Sequence, residues 1–299
     1  MLEKYPGYKI LNLDKQTYAG NPDNLLEIEK NPKYSFVHGD ICDNDVVNSV
    51  MQKVDQVVHF AAESHVDRSI DDASVFVKTN VLGTFTLLDA ALRHNIKKFI
   101  HISTDEVYGS IINGSFKETD ILTPSSPYSS SKAGSDLLAR SYFITHKLPV
   151  IITRCTNNFG PYQYPEKLIP LFITNLLENR KVPVYGTGKN VRDWIYVLDH
   201  CKAIDFVLHK GITGEIYNIG GGSEITNIDI TKKILDILGK DGSMIEYVKD
   251  RPGHDIRYSL DCGKLRKLGW APEYNFDEAL KYTVKWYVEN QWWWEKLKS

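Results

Sequence analysis

Cysteine is scarce. Only Cys42, Cys155, Cys201 and Cys262 occur in 299 residues, and no two form a C-x-x-C pair. That spacing argues against a zinc site or a disulfide framework, and four structural thiols suit a reducing cytoplasm. No apolar run approaches the roughly 18 residues of a membrane-spanning segment. The opening Met1-Leu2-Glu3-Lys4-Tyr5-Pro6 has no apolar stretch of the signal-peptide kind. A charge excess is missing too: 36 Lys and Arg face 38 Asp and Glu, a net charge of -2. There is no global field to hold nucleic acid or an anionic membrane, so an anionic ligand must rely on local groups. With 42% hydrophobic and 25% charged residues, the composition is that of an ordinary globular protein. The length allows one large domain and a smaller partner. Repeats and low-complexity tracts are absent.

What is there begins with alternation. Lys9–Leu13, Phe36–His38, Gln56–Phe60, Lys98–Ile102 and Val150–Thr153 are short Val/Ile-rich runs that read as buried strands. Amphipathic stretches lie between them, as in Asn80–His94, where Val81, Phe85, Leu88 and Leu92 recur at helical spacing. The expectation is an α/β fold with a mainly parallel sheet and helices on both faces. Beyond about Pro161 the texture changes to helices at Ile169–Leu177, Ile228–Leu238 and Phe276–Glu289, separated by Pro-, Gly- and aromatic-rich loops. Residues 1–160 are expected to form the sheet domain and 161–299 a smaller α/β domain, with some chain crossing back. Trp292-Trp293-Trp294 reads as a terminal helix anchored by aromatic packing.

Glycine is missing where it would matter. Asp14 ends the first strand, the position of an acid that holds the adenosine ribose of a dinucleotide. Such an acid follows a first strand and a glycine-rich turn that meets the pyrophosphate at a helix N-terminus. Only Gly7 lies upstream of Asp14, and Met1–Tyr5 reads as the tail of a helix. Without that central strand, both neighbouring strands would keep unpaired backbone groups. The expectation is that the numbering begins at an internal methionine of a longer chain; the alternative is genuine loss of the cofactor loop.

Chemistry concentrates after the strand Lys98–Ile102, in Ser103-Thr104-Asp105-Glu106-Val107-Tyr108-Gly109. Carboxylates at the C-terminal end of a parallel strand face the crevice where ligands bind. Tyr128-Ser129-Ser130-Ser131-Lys132 follows, and on a helix this spacing places the phenol and the ammonium on one face. A free tyrosine has a pKa of about 10, and a nearby ammonium favours its phenolate. The pair can therefore remove a hydroxyl proton while hydride leaves the same carbon for a nicotinamide. A Y-x-x-x-K alone is a chance pattern on many surface helices; joined to S-T-D-E-V-Y-G it is specific.

This combination resembles the extended short-chain dehydrogenase/reductase family, and within it the nucleotide-sugar 4,6-dehydratases. The resemblance covers essentially the whole chain and implies a Rossmann-like doubly wound sheet, lacking its first strand, that binds NAD. The smaller domain would hold the nucleotide sugar, with dTDP-glucose as the implied substrate and a homodimer as the implied assembly. The implied catalytic set is Thr104, Asp105, Glu106, Tyr128 and Lys132. Cofactor contacts would come from Asp14, Lys15, Thr17, Asp40, Ile41, Ala61, Ala62, Ser64, Thr79, Tyr128, Lys132 and Asn158. An acid at the ribose favours NAD over NADP. Ser64, His65, Thr104, Asp105, Glu106, Asn157, Lys167, Leu168, Pro183 and Tyr185 would meet the substrate, together with Arg192, Asn227, Asp250 and His254. Arg192 is the implied pyrophosphate clamp, since a guanidinium forks onto two oxygens. His65 could equally be a satisfied structural histidine, and a generic arginine a surface ion pair. Leu198 departs from the pattern, standing where an acid commonly follows Tyr-Val.

Asp105 and Glu106 set a dehydratase apart from the epimerases and decarboxylases of the same fold. Epimerases need no second acid–base pair, whereas removing water from a hexose does. An epimerase or decarboxylase, or a catalytically inactive homologue, remains the competing reading.

Overall fold

The computed structural model describes residues 1–298. It divides into two compact units. The first comprises Met1–Val107, Ser126–Arg154 and Asp205–Tyr217; the second comprises Tyr108–Ser125, Cys155–Ile204 and the chain from Asn218 onward. The sequence suggests a boundary near residue 160 with some chain crossing back; the chain passes from unit to unit five times. Apolar periodicity reports which face of an element is buried, and both units bury their faces alike.

In the first unit the order is β1 (Ile10–Asp14), β2 (Tyr34–His38), α1 (Asn44–Met51), β3 (Gln56–His59), α2 (Val66–Asp71) and α3 (Ser74–Phe76). A π-helical stretch, Val77–Gly83, then runs into α4 (Thr84–Arg93), followed by β4 (Lys98–Thr104), α5 (Pro127–His146) and β5 (Val150–Cys155). The strand-helix alternation expected from the sequence is therefore present, each strand within two or three residues of its expected limits. Met1–Tyr5 forms one helical turn, closed by the Tyr5 N–H on the Met1 carbonyl at 2.9 Å.

β4 is buried along nearly its whole length, as the run Phe-Ile-His-Ile-Ser-Thr requires of a strand covered on both faces. Its apolar residues join α1, α4 and α5 in a core that includes Val47, Leu88, Ala91, Phe99, Ala139, Val150 and Ile152. Helix α5 starts where Ser126 and Ser129 cap each other reciprocally and Pro127 occupies the first turn; it stops at Lys147, which turns left-handed with φ 59°. Inside this unit Arg154 grips Asp136 with two hydrogen bonds of 2.8 Å, both side chains buried.

The sheet is split. β1 pairs only with β2, while β3, β4, β5 and β9 (Ile216–Ile219) form a separate four-stranded sheet with β3 at its edge. Both β1–β2 and β3–β4 are parallel. β1 and β3 each keep one unpaired edge, the arrangement expected when no strand lies between them. Exposure follows: Val57 and Val58 are only half-buried and Phe60 is 58% exposed, whereas Phe99 and Ile100 on β4 are fully covered. Hydrogen exchange should register the same split. Amides on the open edges of β1 and β3 should exchange at least about tenfold faster than those of β4; uniform protection across all three strands would contradict this topology.

The second unit contains β6 (Asn157–Phe159), α6 (Leu168–Leu177), β7 (Val182–Tyr185), β8 (Val191–Tyr196) and the start of α7 (Val197–Lys210). After β9 come β10 (Glu224–Thr226), α8 (Asn227–Ile237), β11 (Ile245–Val248), α9 (Gly263–Lys267), α10 (Phe276–Glu289) and α11 (Gln291–Trp294). One small sheet runs β10-β8-β6 and another pairs β11 with β7. Its core joins Phe159, Phe172, Trp194, Ile234, Leu280 and Tyr287 to Trp293 and Trp294. Trp294 donates from its indole to the Tyr287 carbonyl at 2.8 Å, so two of the three terminal tryptophans anchor the end of the chain while Trp292 is half-exposed. Leu198 lies exposed on the first turn of α7; the next residue, Asp199, is buried and accepts the N–H groups of Glu273 and Tyr274.

The helical stretch Ser74–Arg93 is long and apolar enough to cross a membrane by length and composition. Half of it is buried inside the first unit, where it packs as a core helix.

Candidate active site

The two candidate motifs both lie in the first unit. β4 ends at Thr104 and the chain tightens into a 3-10 turn, Asp105–Tyr108. Thr104 organises the acids: its hydroxyl donates to Asp105 Oδ1 at 3.1 Å and accepts the Glu106 N–H at 3.2 Å. Asp105 is buried, at 3% exposure, while Glu106 is only partly covered. Two adjacent carboxyls are thus given unlike surroundings, the condition for unlike roles.

Tyr128 and Lys132 occupy the first turns of α5, both buried. The Tyr128 N–H donates to Ser69 Oγ at 3.1 Å, tying the helix start to α2. Lys132 Nζ donates to the Ile102 carbonyl at 2.7 Å, on the strand that carries Thr104. The ammonium is thereby fixed two residues before the threonine that orders the acids. The link joins the start of α5 to the end of β4, the two segments that carry the five side chains expected from the sequence.

Sequence reasoning missed Asn80. It lies on the π-helical stretch and is 1% exposed. Its side chain accepts the Glu63 N–H at 2.8 Å and donates to the Glu63 carbonyl and to Ser131 Oγ, each at 2.9 Å. Ser131 in turn donates to the Tyr128 carbonyl at 2.7 Å. One amide thus joins the Ala61–Ser64 loop to the Tyr128 helix. The π-helical widening, which shifts a side chain relative to regular helical spacing, leaves no mark in the apolar periodicity. Asn80→Ala should lower stability by about 1–3 kcal/mol in urea unfolding, because it strands buried polar groups; an unchanged midpoint would show the bridge to be idle.

The residues expected at the cofactor's adenosine end stand at the C-terminal ends of the parallel strands β1 and β2. Asp14 is exposed and accepts the Gln16 N–H at 2.7 Å; Lys15 pairs with Asp40 at 2.7 Å, and Thr17 is exposed in the same turn. Burial works against ionisation of Asp40, but Lys15 and the Cys42 N–H outweigh it and hold the carboxyl below its usual range. Ile41 is buried, and Gly83 passes so close that a Cβ there would meet Ile41 Cδ1 at 2.5 Å. Ala61 and Ala62 follow β3 half-buried, Ser64 is exposed, and Thr79 is half-buried on the π-helical stretch. An exposed carboxylate at the end of β1 and a buried ammonium at the end of β4 are groups suited to the ribose hydroxyls of a dinucleotide. His65 has a structural duty: its Nδ1 caps α2 by accepting the Arg68 N–H at 3.3 Å.

The remaining candidates belong to the second unit. Asn157 and Asn158 lie on β6, Lys167 and Leu168 open α6, Pro183 and Tyr185 are on β7, and Asn227 opens α8. The Oδ1 atoms of Asn157, Asn158 and Asn227 are buried and, among the described residues, have no hydrogen-bond partner. Arg192 is buried and stacks on Tyr258 at 4.3 Å; its guanidinium donates to the Val191 carbonyl at 2.8 Å and the Asp255 carbonyl at 3.0 Å. It is therefore a fixed cation, with part of its fork already engaged. Asp250 pairs with His254 Nδ1 at 2.6 Å, and burial keeps His254 below the usual imidazole range despite that carboxylate.

Comparison with known proteins places the chain among nucleotide-sugar dehydratases. Residues 1–283 match the family described as GDP-mannose 4,6 dehydratase. The chain is 54% identical over 294 residues to the dTDP-glucose 4,6-dehydratase of Streptomyces niveus, covering 98% of this chain and 88% of that protein. It superposes with TM-score 0.97 on the crystal structure of DesIV, a dTDP-glucose 4,6-dehydratase from Streptomyces venezuelae with NAD and TYD bound, at 54% identity over 99% of this chain and 92% of that one. A UDP-glucuronic acid 4-epimerase from Bacillus cereus, in complex with UDP-glucuronic acid and NAD, gives TM-score 0.91 at 28% identity, covering 96% of this chain and 93% of that one.

Proposed function

The chain belongs to the GDP-mannose 4,6-dehydratase family, and from its 54% identity to dTDP-glucose 4,6-dehydratases we propose that it dehydrates dTDP-glucose to dTDP-4-keto-6-deoxyglucose. The observation that carries the reading is the Thr104-ordered pair Asp105 and Glu106 at the end of the strand to which Lys132 is bound. A simple epimerase has no use for the two extra acids, and this favours dehydration on a fold that epimerases share.

NAD would be held by Asp14, Lys15, Thr17, Asp40, Ile41, Ala61, Ala62, Ser64, Thr79 and Asn158, with Tyr128 and Lys132 at the nicotinamide ribose. It would supply a hydride acceptor for C4 and a hydride donor for C6, leaving no net redox change, as suits a hydro-lyase.

The chain's own side chains move the protons. Tyr128, its phenolate favoured by the Lys132 ammonium, removes the proton of the C4 hydroxyl. The C4 ketone acidifies the C5 proton, which Glu106 takes. Asp105, the more enclosed acid, protonates the departing C6 hydroxyl, which leaves as water. Glu106 then returns a proton to C5. Thr104 keeps both acids oriented, and Ser64 and His65 approach the sugar. Asn157, Lys167, Leu168, Pro183, Tyr185, Arg192, Asn227, Asp250 and His254 would hold the nucleotide, Arg192 supplying a fixed positive charge for the pyrophosphate.

A homodimer fits the exposed apolar side chains of Val77, Leu82, Phe85, Leu137 and Ile144 on the π-α4 and α5 helices. The four free cysteines suit a cytoplasmic setting. The test is product analysis with dTDP-, UDP- and GDP-hexoses in the presence of NAD. A 4-keto-6-deoxy product from the thymidine substrate supports the proposal; a 4-epimer, or no turnover of any of the three, contradicts it.

A further inference from the structure

Lys132 is anchored by more than its own side chain. His101 on β4 is completely buried, and its Nε2 lies 3.2 Å from Ser135 Oγ on α5. Ser135 donates its single proton to the Lys132 carbonyl at 2.8 Å. The serine therefore accepts from the imidazole, which must carry its proton on Nε2. Lys132 Nζ closes the path by donating to the carbonyl of Ile102, the residue after His101. The result is a ring of hydrogen bonds that leaves β4 through an imidazole, crosses α5, and returns to β4 through the ammonium.

A second imidazole backs the first. His59 is the register partner of His101 on β3, 4% exposed, with the two rings 5.4 Å apart. Its Nε2 lies 2.9 Å from Thr84 Oγ1 on α4. The charged groups bearing on this layer are Lys132 on α5 and Arg154 on β5, the latter matched by Asp136. Burial first, and the Lys132 charge after it, hold both imidazoles neutral, His59 at about 3 and His101 well below the ordinary value.

We propose that His101, backed by His59, is a positioning residue that fixes the Lys132 ammonium at the height of Tyr128 through the Ser135 link. The inference rests on the reading of Tyr128 and Lys132 as the acid–base pair. An imidazole suits the task because it donates one directed hydrogen bond and stays uncharged, so Lys132 remains the cation that acts on the phenol. An apolar ring of similar size would preserve the packing and lose the link. Removing it lets the Lys132 turn of α5 drift, and the attraction that acidifies Tyr128 weakens with distance.

The test reads the phenol itself. Tyr128 ionisation is followed by near-ultraviolet absorbance, as the difference between each protein and its Tyr128→Phe counterpart, without cofactor. His101→Phe and Ser135→Ala break the ring from opposite sides, and His101→Gln restores a donor. The expected result is a Tyr128 midpoint raised by roughly half a pH unit or more in both ring-breaking variants, and unmoved in His101→Gln. In turnover, the same two variants should lose about three- to tenfold in kcat with KM nearly constant. Midpoints equal to the unmodified protein, or a His101→Gln shift as large as that of His101→Phe, would overturn the proposal. If the unmodified protein shows no Tyr128 ionisation below that of an ordinary phenol, the acid–base reading itself falls, and this inference with it.

Discussion

Tyr128→Phe should lower kcat by roughly 10²–10⁴-fold while changing KM little. The phenyl ring keeps the packing around Phe76, whose ring lies edge-on to Tyr128 at 6.4 Å. It loses the oxygen proposed to accept the C4 hydroxyl proton. Lys132→Met should fall in the same direction, since an apolar chain of similar length removes the charge that makes the phenol acidic at neutral pH. The Lys132 variant should in addition recover in part as pH rises, because the phenol then ionises unaided. A Tyr128→Phe enzyme retaining a third or more of its activity would remove Tyr128 from the chemistry.

The second large effect separates the two acids. Asp105→Asn and Glu106→Gln should each reduce formation of the 4-keto-6-deoxy sugar by about 10²–10⁴-fold, but at different steps. Glu106→Gln cannot take the C5 proton, so substrate incubated in heavy water should gain no deuterium at C5. Asp105→Asn still removes that proton but cannot protonate the departing hydroxyl, so exchange at C5 should continue while water loss stops. The asymmetry follows from position: Asp105 is buried and accepts from Thr104, whereas Glu106 is held through its backbone N–H with its side chain partly open. Identical exchange behaviour in the two variants would mean that the roles are reversed or shared.

Five strands of the first unit were legible in the sequence because buried parallel strands are continuous apolar runs, the run from Lys98 being the clearest; the short strands of the second unit were not. The Tyr128 helix was legible from the spacing of Tyr128 and Lys132, while its serine cap and first-turn proline emerged only in the structure. The split between β1 and β3 was foreseeable from the absence of a glycine-rich turn before Asp14. Asn80 was not. Its role depends on a π-helical shift and on three partners remote in sequence, and neither has a local signature. The His101–Ser135–Lys132 ring was hidden for the same reason: a histidine inside an apolar strand reads as core until the helix packed on it is known. The interleaving of the two units was illegible in detail, since Tyr108–Ser125 looks like any loop until its contacts are formed.

The central claim is that one phenol and two adjacent acids work on one hexose, so that hydrogen taken from C4 ends on C6. dTDP-glucose deuterated at C4, incubated with the protein and NAD, tests this directly by NMR of the product. The account predicts a 4-keto-6-deoxy sugar with the deuterium in its new methyl group. Deuterium still on C4, in recovered glucose or in its 4-epimer, would contradict it.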